Sequence, residues 1–296
     1  MLEHLLTEQP NPASEGIDGL ATEQVLRIIN NEDRKVAEAV AQELPSIARA
    51  VDAIVNAFER GGRLFYIGAG TSGRLGVLDA TECPPTFNVP FEMVQGIIAG
   101  GEAAVSSATE TSEDDPSMGA RDLCQRGFSE RDVLVGIAAS GRTPYVLGAV
   151  AEASRMRAFT IGISCTPDSE LARAAMLPIT LLVGPEIVAG STRMKAGTAT
   201  KMVLNMLTTA SFIRLGYVYG NLMVNVQPKN SKLADRARRI IAMAAGVSYD
   251  RAGELLAAAG SDVRTAIVMA RSGVDRVEAE RRLASARGRI SAVRQR

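Results

Sequence analysis

The sequence predicts an α/β fold, with a mainly parallel five-stranded sheet flanked by helices. Five short apolar, β-branched runs recur along the chain, and the segments between them are long enough for helices. Such alternation is typical of parallel sheets. A glycine-rich loop also joins the first run to a segment of helical periodicity, which indicates a strand–loop–helix unit. The five runs are residues 63–67, 93–99, 132–138, 158–164 and 177–183.

Helices are also expected before and after the sheet-forming part of the chain. Apolar residues three or four positions apart between about residues 22 and 60 predict amphipathic helices with a break near Asn30 and Asn31. The C-terminal part is basic and alanine-rich, and glycine or aspartate separates three segments of helical period. We therefore predict a main domain over residues 1–235 and a small three-helix, UBA-like module over residues 236–296.

The composition argues against several classes of function. The chain has 33 Lys and Arg against 33 Asp and Glu, so its formal net charge is zero and no global field would attract nucleic acid or an anionic membrane. Its three cysteines lack disulfide-framework or metal-ligand spacing. No segment offers about 18 uninterrupted apolar residues, and the first residues lack the pattern of an export signal. We expect a cytoplasmic protein without nucleic-acid, membrane or metal partners.

The single histidine restricts the chemistry further. His4 lies in a polar, proline-bounded segment where no pocket is expected. Histidine is the usual general base and metal ligand near neutral pH. If the protein is an enzyme, carboxylates, or an unusual Lys, Tyr or Cys, must take that role.

Two hydroxyl-rich loops follow predicted strands, where ligands bind in open parallel sheets. In the first, residues 68–73 match GxGxxG, and the hydroxyls of Thr71 and Ser72 beside a helix N-terminus suit a phosphate. Dinucleotide binding and a structural glycine turn remain alternatives, although Glu92 precedes the second strand rather than following it. In the second loop, Ser140 and Thr143 suit the same phosphate or cap a helix.

Acidic residues occur in two further segments. Glu82 comes just before Pro84 and Pro85, which are expected to end the helix and hold the carboxylate in a rigid turn; a solvated helix end is the alternative. Glu110 and Glu113 would share one helical face, and spacing does not choose between them. The neighbouring aspartates of this second segment suit a helix cap or a solvated surface.

Four segments closely resemble the N-acetylmuramic acid 6-phosphate etherases: GAGTSGRLGVLDATECPPTF, ETSEDD, IAASGRTPYV and GSTRMKAGTATKMVLNML. The resemblance extends from LLTEQPNPASEGIDGLAT through GNLMVNV to the helical tail. It implies a sugar isomerase (SIS) fold, a homodimer, and cleavage of the C3 lactyl ether of N-acetylmuramic acid 6-phosphate to N-acetylglucosamine 6-phosphate and D-lactate. It also implies a role in bacterial cell-wall sugar recycling and no metal or cofactor.

The resemblance also implies roles for single residues. Glu82 matches the acid that protonates the departing lactate, and Glu113 matches the base at C2. The family commonly has Glu-Gly-Ala-Glu where this chain has Glu-Thr-Ser-Glu, but both glutamates are kept. The residues that match phosphate contacts are Thr71, Ser72, Ser140 and Thr143. Lys195 is a weaker candidate for an anion contact, with a structural role as the alternative.

Three other functions stay open from the residues. The first is a non-catalytic sugar-phosphate regulator, because the related glucokinase regulatory protein keeps a similar pocket. The second is an aldose–ketose sugar-phosphate isomerase, which would not release lactate. The third is a dinucleotide-dependent dehydrogenase, which would need an acid for the ribose.

Overall fold

The computed structural model describes residues 6–107, 113–228 and 230–293. Contacts divide the chain into two compact units. One comprises Met1–Thr81 and Phe91–Thr208, and the other comprises Glu82–Pro90 and Thr209–Arg296. Among the residues described, no helix is both long and apolar enough to cross a membrane.

A five-stranded, fully parallel sheet forms the centre of the first unit. The strands are β1 (Leu64–Gly68), β2 (Val94–Ile98), β3 (Val133–Ile137), β4 (Phe159–Ser164) and β5 (Leu177–Thr180). Their order is β2-β1-β3-β4-β5. Each overlaps one of the apolar runs, so the α/β prediction is confirmed. Strands β1 and β3 are buried along their whole length, as expected for a parallel sheet covered on both faces.

Helices cover both faces of this sheet. The first eight helices are α1 (Thr22–Gln42), α2 (Leu44–Glu59), α3 (Gly70–Phe87), α4 (Ala103–Ser106), α5 (Pro116–Gln125), α6 (Pro144–Arg155), α7 (Glu170–Ala174) and α8 (Lys195–Arg214). On one face, α5, α6 and α7 pack over alternate strand residues such as Phe65 and Leu134. On the other, Tyr66 faces α3, and α2 contacts β1, β3 and β5.

Two expectations about helix ends are wrong. Helix α1 runs unbroken through Asn30 and Asn31, because both side chains are exposed on the solvent face; the break comes at Glu43, where α2 begins close to Pro45. Helix α3 continues through Pro84 and Pro85 to Phe87. Proline's fixed φ is compatible with a helix even though its ring removes the backbone donor, so Glu82 lies within a helix rather than in a turn.

The second unit is mainly helical. It contains a short hairpin of β6 (Val218–Tyr219) and β7 (Leu222–Met223), followed by α9 (Ser231–Ala245), α10 (Tyr249–Ala258), α11 (Val263–Ser272) and α12 (Arg276–Ser285). Each of these four helices begins with a side-chain cap, from Asn230, Ser248, Asp262 and Asp275.

Helix α9 adds to the three helices predicted for this region. Its residues Ala237, Ile240 and Ile241 form a buried stripe in the core shared with α10, α11 and α12. Folding of residues 236–296 as a module of their own stays a prediction.

Candidate active site

The loop after β1 requires glycine at two positions. A Cβ atom on Gly68 would lie 2.7 Å from the Gly73 nitrogen, and one on Gly73 would lie 2.6 Å from the Gly68 oxygen. This close approach lets the chain pass directly from strand to helix. Thr71 and Ser72 are thereby held in the first turn of α3 with partly exposed side chains. A helix N-terminus offers unpaired N–H groups and a positive dipole end to an anion.

The loop after β3 is held in place by contacts with the segment that follows β4. Gly141 has φ +66°, and a Cβ atom there would lie 2.3 Å from Cβ of Ser169. The Gly141 carbonyl accepts a hydrogen bond from Leu171 N–H (2.9 Å), and the Cys165 N–H donates to Ala139 (2.8 Å). These contacts hold the loop on a rigid support.

The hydroxyls of this second loop are available to a ligand. Thr143 is the N-cap residue of α6, but its side chain makes no capping hydrogen bond. Ser140 Oγ accepts from Arg142 N–H (3.3 Å), which leaves its hydroxyl hydrogen to donate. The capping alternative therefore does not explain the Thr143 hydroxyl.

The two hydroxyl loops leave neighbouring strands at the same edge of the sheet. Strands β1 and β3 are adjacent and parallel, with Gly68 paired to Ile137, and neighbouring strands lie about 4.8 Å apart. The carboxyl edge is where open sheets of this type bind ligands. Glu92 precedes β2 and so belongs to the amino edge, which is the wrong end for a ribose-binding acid.

Glu113 is tied to the second loop through its backbone. Its carbonyl accepts a hydrogen bond from Tyr145 N–H (3.0 Å), in the first turn of α6. Asp115 caps α5 by accepting from Ser117 N–H (2.8 Å), as the sequence alternative proposed. Glu110 and His4 lie outside the described residues.

Glu82 is exposed on the C-terminal half of α3. It belongs to the second unit, whereas Glu113 and the four hydroxyl residues belong to the first.

Lys195 is buried in an ion pair. Its side chain is 1% exposed, and its Nζ lies 2.6 Å from Glu32 Oε2 on α1. Asn11 Nδ2 donates both to Glu32 (2.9 Å) and to the Pro185 carbonyl (2.9 Å), and Lys35 also contacts Glu32. Burial alone would raise the pKa of Glu32, but the hydrogen bonds from Lys195, Lys35 and Asn11 lower it to about 2. This arrangement favours the structural alternative for Lys195.

The ion pair lies at the start of α8, next to the first hydroxyl loop. The buried Glu186 carboxylate accepts from the N–H groups of Lys195 (3.0 Å) and Ala196 (2.9 Å). A Cβ atom on Gly197 would lie 3.5 Å from the Thr71 methyl carbon. The beginning of α8 therefore supports the phosphate loop, while its own first donors are already occupied.

Asp79 is a buried acid that the sequence reasoning missed. It is 5% exposed and accepts hydrogen bonds from Tyr66 Oη (2.9 Å), Asn205 Nδ2 (2.7 Å) and Thr208 Oγ1 (3.3 Å). Burial raises its pKa, against the effect of these hydrogen bonds. The signal was its helical spacing from Gly76 and Cys83, three residues before it and four after it, which are also buried. Asp79 links α3 to both β1 and α8.

Known proteins resemble this chain over nearly its whole length. The glucokinase regulatory protein N-terminal SIS domain model matches residues 46–154, and the SIS domain model matches residues 125–210. The N-acetylmuramic acid 6-phosphate etherase of Aeromonas hydrophila is 56% identical over 290 residues, 98% of this chain and 97% of that protein. The same enzyme of Clostridioides difficile is 52% identical over 290 residues, 98% and 95% of the two chains.

A solved structure resembles the fold alone. It is a Bacteroides fragilis protein described as a phosphosugar isomerase involved in capsule formation, with 21% identity and a TM-score of 0.50. The match covers 66% of this chain and 94% of that one.

Proposed function

This chain belongs to the N-acetylmuramic acid 6-phosphate etherase family, and on that premise we propose that Glu82 and Glu113 are its catalytic acid and base. The protein is a carbon–oxygen lyase of cell-wall amino sugar recycling. It converts N-acetylmuramic acid 6-phosphate to N-acetylglucosamine 6-phosphate and D-lactate.

The phosphate of the substrate binds in the two hydroxyl loops. Thr71, Ser72, Ser140 and Thr143 donate hydrogen bonds to its oxygens. The observation that carries this assignment is the Thr143 hydroxyl, which stands at a helix N-terminus without capping it. The first turns of α3 and α6 supply further N–H groups and a favourable dipole, so a dianion can bind without a lysine or arginine.

The chemistry follows from opening of the sugar ring. The aldehyde at C1 makes the C2 proton acidic, and the Glu113 carboxylate removes it. The electron pair forms a C2–C3 double bond as the C3–O bond breaks, and Glu82 gives its proton to the departing lactate oxygen. Water then adds at C3, with Glu82 as base and Glu113 returning a proton to C2. The roles rest on the match of these two glutamates to the family's pair.

The acid–base pair is tested by D-lactate release from N-acetylmuramic acid 6-phosphate in the presence of EDTA. We expect Glu82→Gln and Glu113→Gln each to lower kcat about a hundredfold or more, because each removes a proton-transfer group. Glu92→Gln, an exposed glutamate at the other edge of the sheet, is the matched control and should keep full activity. A wild type that binds the sugar phosphate without releasing lactate would point to the regulator, and a ketose product to the isomerase.

The phosphate contacts are tested by KM. Thr143→Val keeps the side-chain shape but removes the donor, and we expect KM to rise about tenfold with a smaller change in kcat. Ser72→Ala should act in the same way. Ser285→Ala removes an exposed hydroxyl on α12 and should leave KM unchanged. An unchanged KM in both loop variants would contradict the assignment of these hydroxyls as phosphate contacts.

The homodimer and the cytoplasmic location implied by the resemblance belong to the same proposal. Among the described residues no cysteine forms a disulfide, which is consistent with a reducing compartment. Light scattering on the purified protein tests the dimer, and cell fractionation tests the location.

A further inference from the structure

The end of α3 that carries Glu82 depends on tertiary contacts for its position. Pro84 and Pro85 have no N–H, so the carbonyls of Ala80 and Thr81 lack their usual helical donors. The last turn of α3 is therefore weaker than an ordinary helical turn. The segment Glu82–Pro90 belongs to the same compact unit as Thr209–Arg296.

A column of stacked side chains holds this segment. The Phe87 ring stacks on Phe212, with centroids 4.4 Å apart and an interplanar angle of 27°. Phe212 stacks in turn on Tyr217, at 5.4 Å and 13°. The guanidinium of Arg264, on α11, lies 5.9 Å from the Tyr217 centroid. The column thus runs from the end of α3 to the C-terminal helices.

Asn225 gives the same segment a polar anchor. Its Nδ2 donates to the Phe87 carbonyl at 2.5 Å. This is the last carbonyl of α3, one of the four that a helix leaves without an internal donor. The neighbours of Asn225, Val224 and Val226, are both buried in the core formed with α9 to α12. The C-terminal helices therefore hold Asn225 in place, and Asn225 in turn holds the end of α3.

We infer that the C-terminal helical unit positions Glu82 for catalysis, through Asn225 and the Phe87–Phe212–Tyr217 column. The inference rests on the proposed role of Glu82 as the acid. Asn225 and Phe87 are positioning residues, since they act through the helix that carries Glu82. The C-terminal helices thereby gain a role in the reaction.

Two activities separate this role from general stabilisation. D-lactate release needs both Glu82 and Glu113. Exchange of the C2 hydrogen of N-acetylglucosamine 6-phosphate with D2O, followed by NMR, needs only the base Glu113. A displaced Glu82 should therefore lower the first activity and spare the second, whereas a loosened fold should lower both.

Asn225→Ala removes the donor to Phe87, and Phe87→Leu removes the ring while keeping an apolar side chain. We expect each to lower kcat for lactate release about tenfold to a hundredfold, as a displacement of about 1 Å does. C2 exchange and KM should stay within about threefold of wild type. Glu82→Gln should lower lactate release further while keeping C2 exchange, and Glu113→Gln should lose both activities.

Ser248→Ala is the matched control. Ser248 caps α10 in the same unit by accepting from Arg251 N–H (3.2 Å), so its loss costs a comparable stability of one hydrogen bond. It should change neither activity. Circular dichroism identifies the variants that fold, and Phe87→Leu decides the question if Asn225→Ala does not fold.

Parallel loss of both activities in the Asn225 and Phe87 variants would overturn the inference, as would lactate release at the wild-type rate. A loss of lactate release with unchanged C2 exchange in Ser248→Ala would also overturn it. If Glu82→Gln itself released lactate at the wild-type rate, the proposed function of Glu82 would fail instead.

Discussion

Lys195→Met is expected to destabilise the protein strongly at neutral pH. Methionine keeps most of the volume of the lysine stem but removes the ammonium group. Glu32 would then remain buried with only Lys35 and Asn11 as partners. A buried carboxylate that loses its principal counter-charge keeps its desolvation cost without the compensating attraction.

The expected loss is about 3–5 kcal/mol in the free energy of unfolding. The pKa of Glu32 gives a second route to the magnitude. It falls from 4.5 to about 2 in the folded protein even though burial raises it, and since one pKa unit corresponds to about 1.4 kcal/mol, the net stabilisation of the charged carboxylate is on the order of 3–4 kcal/mol. Lys195 is the largest single contributor to that lowering, so the two routes give the same order of magnitude.

Urea unfolding followed by far-UV circular dichroism measures the effect, because the chain contains no tryptophan for fluorescence. The double variant Glu32→Leu/Lys195→Met should recover most of the loss, since it removes both charges. Lys35→Met, which removes only the exposed partner of Glu32, should cost less than about 1 kcal/mol. A loss below about 1 kcal/mol in Lys195→Met, or a double variant no more stable than the single one, would refute the reasoning.

Three further predictions concern stability. First, Glu32 has a lowered pKa, so its stabilising effect is complete above about pH 4.5 and is lost as the pH falls toward about 2; acid unfolding of Glu32→Gln should lack this part of the pH dependence. Second, Asp79→Asn should keep stability at neutral pH within about 1 kcal/mol, since an amide can still pair with Tyr66, Asn205 and Thr208, whereas Asp79→Ala should cost about 3 kcal/mol in urea unfolding. Because burial raises the Asp79 pKa, its ionisation destabilises the fold as pH rises, and Asp79→Asn should remove that trend. Third, Gly141→Ala should cost more than Gly61→Ala by about 1–3 kcal/mol in thermal unfolding, because both glycines have positive φ but only Gly141 has a neighbour in the way.

The strands and the hydroxyl loops were predictable because their signals are local. Strand β3 is apolar along its length since both faces of a parallel sheet are covered. Glycine next to hydroxyl residues marks each strand-to-helix turn. Local rules failed at Pro84 and Pro85, where the proline rule predicted the end of a helix that continues to Phe87. There the Phe87 ring stacks on Phe212 and the Phe87 carbonyl accepts a hydrogen bond from Asn225, contacts with residues that are distant in the chain.

The proposed catalytic pair was chosen in a different way. Spacing did not choose between Glu110 and Glu113, and a solvated helix end stayed open for Glu82; only the resemblance to the etherases implied the roles of Glu82 and Glu113. Asp79 was missed because an aspartate on a helix is usually solvated, and its partners Asn205 and Thr208 lie more than 120 residues away along the chain.

By itself, the sequence determined the α/β class, the positions of the strands, the two hydroxyl loops and the family. Apolar periodicity, glycine turns and family motifs act between residues that are close in the chain, so they can be read without coordinates. Only the tertiary structure decided that β1 lies beside β3, that Lys195 pairs with Glu32 across 163 residues, and that the end of α3 joins the C-terminal helices. Contacts of this kind depend on the packing of distant segments, which leaves no pattern in the order of the residues.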